Sequence, residues 1–283
     1  PSFAAKLAAR QRFTPSASLF AHGLLHLVQD ASLGPSTLLN RALVLDERIA
    51  NHLLGVDGVD SRLAPYAQLV APQADFATLL LADETKQRLL RFAHPSATSQ
   101  EQVILYFQGP EGVGKQSTAE ALCQERGDTL LVIDCEHFAS IDPTLFTATV
   151  RLALRESRLQ KAALYWKNFD VLLSDDKRTG YEALWRELTN YRGVNFFAGT
   201  VVWEPTAALH QSLFVRLEFS LPTYAERMQL WTAAFSAHAI ETSLIDVPAL
   251  ANQFRLSGGQ IRDAAATARN HAQWRDPEDN QVT

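Results

Sequence analysis

The stretch Val103-Ile-Leu-Tyr-Phe-Gln-Gly-Pro-Glu-Gly-Val-Gly-Lys-Gln-Ser117 decides the fold. Its apolar run, Val103 to Phe107, reads as a buried strand, and QSTAEALCQER, Gln116 to Arg126, reads as a helix. Between them Gly109, Pro110, Glu111, Gly112, Val113, Gly114 and Lys115 match G-x-x-x-x-G-K. Glycines let such a loop curl until several backbone N–H groups face one phosphate. Lys115 reaches the outer phosphates, and the helix start adds positive partial charge. Strand, loop and helix in this order predict a phosphate-loop fold that binds nucleotide.

Four further short apolar runs follow, at 129–134 (TLLVID), 162–166 (AALYW), 194–199 (VNFFAG) and 214–219 (FVRLEF), alternating with helical stretches. That alternation predicts a parallel α/β sheet. After Pro222 the strand signals stop, and helices are expected over Tyr224 to His238, Val247 to Phe254 and Gly259 to Trp274. Ahead of the sheet, from Leu19 to Ala93, apolar residues recur at helical spacing, so this part reads as an all-helical leader. Within it Asp46 and Gly55 sit where an N-cap and a C′ glycine belong, bounding one short helix. The polar stretch from His94 to Gln102 marks a boundary. The expected division is a helical leader over 1–95, an α/β core over 96–222 and a helical lid over 223–283.

The chain has 283 residues, a net charge of −5 and 47% hydrophobic residues, which excludes wholesale disorder and argues against binding nucleic acid by neutralising phosphates. Two cysteines, Cys123 and Cys135, without C-x-x-C spacing fit buried free thiols in a reducing compartment, and the expected address is the cytoplasm. No stretch approaches ~18 uninterrupted apolar residues, so no membrane partner is expected. The chain opens on Pro1 and its single Met is Met228, which reads as part of a longer chain. His22 and His26 fall four apart on an expected helix, but no acidic third ligand accompanies them. No metal site is expected.

A five-strand phosphate-loop core followed by a helical lid, with GPEGVGK after its first strand, resembles the AAA+ ATPases over residues 103 to 273. RALVLDERIANHLLG followed by DSRLAPYAQLV resembles the degenerate amino-terminal half of bacterial tandem AAA+ proteins, some of which accompany extracellular contractile injection systems. The resemblance implies ATP or ADP as cofactor, held by residues 109–117 together with Gly259 and Arg262 of SGGQIRDA. It also implies partners: other AAA+ subunits, or a second ATPase domain in the full-length chain.

Against the family pattern, several positions differ. A Ser or Thr is expected after the lysine to ligate Mg²⁺, but Gln116 stands there, and Ser117 comes one residue late, turned by ~100° on a helix. Where the family has Asp-Glu at the end of the third core strand, this chain has Lys167 and Asn168. The nearest carboxylates are Asp170 and Asp134, and a substitute role for either remains the alternative. Thr200 takes the place of a sensor Asn, and the position of the trans-acting arginine falls on or near Ser212, in Leu209-His-Gln-Ser212. Arg216, inside a strand, reads as a strand-edge charge. Mg²⁺ is therefore disfavoured, and no catalytic residue is assigned.

The expectation is a nucleotide-binding, hydrolysis-deficient module of a larger ATP-driven protein-remodelling machine. The alternatives are an active ATPase with displaced ligands or a phosphate-loop kinase. A kinase would draw on Arg151, Arg155 and Arg158, whose spacing also describes a solvated helix face.

Overall fold

A computed structural model describes residues 2, 11–14, 17–29, 41–93, 102–205, 212–243 and 245–275. Its strands are β1 (Leu25–Gln29), β2 (Arg41–Leu45), β3 (Ala67–Val70), β4 (Val103–Gln108), β5 (Thr129–Asp134), β6 (Ala162–Lys167), β7 (Val194–Gly199) and β8 (Leu213–Glu218). Its helices are α1 (Ser18–Ala21), α2 (Glu47–Leu53), α3 (Asp83–Leu90), α4 (Lys115–Arg126), α5 (Cys135–Phe138), α6 (Pro143–Leu159), α7 (Arg178–Leu188), α8 (Tyr224–Ala237), α9 (Val247–Gln253) and α10 (Gly258–Arg275).

The sheet has the order β3-β5-β6-β7-β4-β8. From β5 to β8 every pair is parallel, and β3 adds antiparallel to β5 with Ala67 opposite Ile133. The five core strands lie where the apolar runs predict, and helices cover both faces, as a parallel sheet requires. Alternation along β4 shows this directly. Ile104 and Tyr106 enter a core with Trp166, Phe138 and Leu184, whereas Val103, Leu105 and Phe107 enter a second core with Leu122, Phe196 and Leu89. Tyr165, Trp166, Trp185, Phe196 and Phe197 are all core residues, packed as aromatic pairs rather than displayed. The lid buries a third core of its own around Trp231, Phe235 and Ile261.

The leader departs from the helical expectation. Asp46 does cap a short helix, accepting from Arg48 N, and Gly55 follows that helix at φ +75°. Leu25–Gln29 and Arg41–Leu45, however, form an antiparallel hairpin. Apolar runs of five residues fit either period, and here cross-strand pairing wins. His26 therefore lies on a strand and His22 just after α1, so the pair does not share a helix face. The boundary expected over His94 to Gln102 lies outside the described residues except for Gln102. The leader is also continuous with the sheet, since β3 belongs to it.

Seven charged or titratable groups join the leader to the core. Arg155 on α6 donates to Asp60 Oδ2 at 2.6 Å and to the Gly23 carbonyl at 2.7 Å, and stands 3.2 Å from Asp46 Oδ1. Arg48 donates to Glu156 at 2.9 Å, Arg62 pairs with both Asp46 and Asp60, and His26 meets Asp46 at 2.8 Å. Arg155 is thus 5% exposed and not part of a solvated face. Burial alone would raise the Asp46 and Asp60 carboxyls, but the bonds from His26 and Arg62 to Asp46, those from Arg62 to Asp60, and the charge of Arg155 hold both below the usual carboxylate range.

Candidate functional site

Residues Gly109 to Lys115 form the turn from β4 into α4. Gly109 is required by close approach: a Cβ there would meet the Phe219 carbonyl oxygen at 2.2 Å. Gly112 and Gly114 take positive φ, +73° and +96°, which curls the loop. Gly114 stands at the N-cap and brings no side chain to cap α4, so the first-turn N–H groups of this helix are left to a ligand or to water. This arrangement fits a phosphate. Lys115 Nζ donates to the carbonyls of Gly109 and of Pro110 (2.9 Å), and Gly199 O lies at 3.4 Å. Burial lowers the lysine from its ordinary value, while Asp170 and Glu111 act in the opposite direction.

The lid sits directly on this loop. Gly259 N donates to Gly112 O at 2.8 Å, and a Cβ on Gly259 would come within 2.9 Å of Gly112 Cα. A cleft of about 660 Å³ opens beside the contact, with Gly112, Val113, Gly114, Ser117 and Arg262 among its lining residues. Gly259 thus meets the loop at Gly112, and Gly258 and Arg262 line the cleft beside it. Gln116 turns instead to Glu120, donating at 2.9 Å.

One wall of the cleft was not anticipated. It comes from the leader, with Gln73, Ala74, Leu80 and Thr85 among its residues, because β3 carries the chain along the sheet edge and on toward the loop. No single-sequence signal pairs Ala67–Val70 with β5. Thr118, Glu120 and Glu226 also line the cleft and were missed.

At the strand tips, Lys167 is the last residue of β6, and Asn168 turns away from it at φ +56°. Lys167 is in register with Asp134, and its ammonium lies 3.9 Å from that carboxylate. Asp134 also accepts from Glu136 N, capping α5. Asp170 is engaged as well: Oδ2 accepts from Thr200 N at 2.5 Å and from Thr200 Oγ1 at 2.7 Å. The Thr200 hydroxyl is thus spent on Asp170 rather than turned toward a phosphate. Lysine, asparagine, a capping aspartate and a bonded aspartate do not make the oxygen-rich octahedral set that Mg²⁺ demands. Among the described residues no group of three or more His, Cys, Asp or Glu is placed to hold a metal ion.

Of the segment assigned to the trans-acting arginine, Leu209, His210 and Gln211 lie outside the described residues. Ser212 donates to Gln102 at 2.7 Å. Arg216 lies on edge strand β8, 3.6 Å from Glu204. Among the described residues no helix is long and apolar enough to cross a membrane.

Two family models match parts of the chain. Residues 223–282 match the contractile injection system ATPase helical domain, and residues 1–67 match a variant winged helix domain, in line with a leader that includes a β-hairpin. No curated protein matches the sequence. Among solved structures, the FIGL-1 AAA domain is 18% identical with a TM-score of 0.58, over 80% of this chain and 83% of that one. The same domain in complex with ADP gives 18% and 0.60, over 80% and 84%. A structure describing the basis for katanin self-assembly gives 18% and 0.59, over 77% and 80%. With five parallel strands, a loop between β4 and α4 and a helical lid, the chain has the AAA+ ATPase fold.

Proposed function

We propose that this chain binds ATP or ADP at residues 109–117, with Gly259 and Arg262, and does not hydrolyse it, acting as a structural or regulatory module of a larger protein-remodelling machine. One observation carries the reading: the Gly109–Lys115 turn, uncapped at the start of α4, shares its sheet with a strand β6 that ends in Lys167 and is followed by Asn168. The loop's N–H groups, Lys115 and the helix start bind phosphate. Hydrolysis needs more, namely a carboxylate to polarise water and a positive group to stabilise the transition state, and these terms typically lower the barrier by several kcal/mol. Lys167 and Asn168 supply no carboxylate. When bound, a nucleotide would add negative charge between the loop and the lid, and Arg262 and Lys115 would be the cations to meet it.

The family match over residues 223–282 supports a link to contractile injection systems. A bacterial, cytoplasmic setting belongs to the same reading, as does a helical lid that begins after about residue 222. The partners are other AAA+ subunits or a second ATPase domain in a longer chain. Titration calorimetry with ATP and ADP, run alongside phosphate-release assays, tests the proposal: binding lost in Lys115→Ala without turnover in either protein supports it.

A further inference from the structure

A second cavity, of about 270 Å³, lies at the seam between the leader and the core. Its lining includes His22 from the turn after α1, Arg151, Arg155 and Arg158 from α6, and Glu187 and Asn190 from α7 and the residues following it. The seam is held from both sides. Arg155, 5% exposed, fixes the leader turn through the Gly23 carbonyl, and its Nε has no partner among the described residues. Arg151 forms a two-bond fork with Glu187, at 2.9 and 2.8 Å, which neutralises that charge and holds the guanidinium still. Arg158 is different. It is exposed, lies over the Tyr191 ring at 5.5 Å, and has no carboxylate at ion-pair distance among the described residues. Stacking orients its fork without neutralising it.

We propose that this cavity binds a small oxyanion of the phosphate class. Its charge is met by Arg158, and His22 and Asn190 are polar residues that line it from the turn after α1 and from just after α7. Lining residues drawn from three elements suit a small tetrahedral anion. The volume, about nine waters at ~30 Å³ each, holds a phosphate with part of its hydration and does not form a groove for an extended peptide. The cavity is separate from the phosphate loop. α6 ends at Leu159 and β6 begins at Ala162, so this end of α6 lies at the start of β6, while Lys167 and the loop stand at the carboxyl ends of the strands. Because its groups come from both leader and core, an oxyanion there fastens one to the other. The inference does not depend on nucleotide binding.

The test uses the Lys115→Ala chain, so that the phosphate loop does not contribute, with inorganic phosphate as the calorimetric ligand and hydrogen exchange at residues 18–29 as a second readout. Phosphate should bind, slow exchange in the α1–β1 segment, and lose about tenfold or more in affinity in Arg158→Ala, with Arg158→Lys intermediate because it keeps the charge and loses the fork. A phosphoserine peptide binding at least about tenfold tighter than phosphate would identify a phosphorylated partner as the source; equal affinities would identify the free anion. Phosphate binding that vanishes with Lys115→Ala alone, or that persists unchanged in Arg158→Ala, would overturn the proposal. So would a triglutamate peptide binding where phosphate does not, which would assign the cavity to an acidic protein.

Discussion

Lys167 closes β6 directly opposite Asp134 at the end of β5, with its ammonium 3.9 Å from the carboxylate. Both groups keep solvent contact, 48% and 27% exposed, and a pair of this kind is worth at most ~1 kcal/mol. The contact therefore does not immobilise the lysine. It places a lysine at the strand tip where the AAA+ resemblance leads an acidic pair to be expected.

That charge sets the expected response to Mg²⁺. A unit and a double positive charge ~4 Å apart at an effective dielectric of ~20 repel by about 8 kcal/mol, which Asp134 beside the lysine offsets in part, so a divalent ion near this tip is disfavoured while bare phosphates are not. Nucleotide affinity should be nearly the same with Mg²⁺ as with EDTA. In Lys167→Asp it should become Mg²⁺-dependent. Calorimetry in the two buffers checks this, and affinity that collapses in EDTA for the unmutated chain would mean that a metal site survives.

The charge network between leader and α6 makes a stability prediction. Removing one member strips its buried neighbours of one partner while Arg62, Asp46 and His26 keep the others, so Asp60→Ala or Arg155→Ala should lower the unfolding free energy by about 1–3 kcal/mol. Urea midpoints at neutral pH measure it; a change under ~1 kcal/mol would show that the leader docks by other contacts.

The same network should sense acid. Asp46 and Asp60 titrate lower in the folded chain than in the unfolded one, so their contribution is complete above the unfolded carboxylate value of 3.8 and is lost as pH falls below it toward the folded values. Burial pushes Glu156 the other way, and so Asp46→Asn isolates the effect. Between pH 5 and pH 2 the unmutated chain should lose more stability than Asp46→Asn does. Parallel loss in the two would contradict this.

What could be read from the sequence follows the range of the interactions. GPEGVGK and the five apolar runs are local signals, and the strands lie where those signals put them. Asp46 and Gly55 likewise act on their own helix. Arg155 was misread because its partners, Asp60 and Gly23, are 95 and 132 residues away in sequence. The leader hairpin was misread because LHLVQ and RALVL are too short for their period to separate strand from helix. Gly259 was legible as a lid glycine, but its bond to Gly112 depends on how the lid closes.

That bond makes a further prediction. A Cβ on Gly112 would stand 2.4 Å from Ser257 Oγ, on a residue at φ +73°. Gly112→Ala should therefore displace the lid from the loop and weaken ADP binding by about tenfold or more, leaving the sheet folded. Calorimetry and circular dichroism together check it; full affinity would show that the lid contact is dispensable.

Assembly follows from the segment before β8. Arg216 sits within the strand near Glu204, and Ser212 is bonded to Gln102. With no arginine offered to a neighbour's nucleotide at these positions, the chain alone should sediment as a monomer or a weak oligomer. A stable hexamer without nucleotide would refute this.

The central claim, binding without turnover, is tested most directly by mixing the chain with ATP and measuring bound nucleotide and released phosphate in the same sample, with Lys115→Ala as control. The account predicts ATP retained on the unmutated chain, absent from the variant, and phosphate release in both at the level of buffer. Sustained release from the unmutated chain that disappears in Lys115→Ala would contradict it.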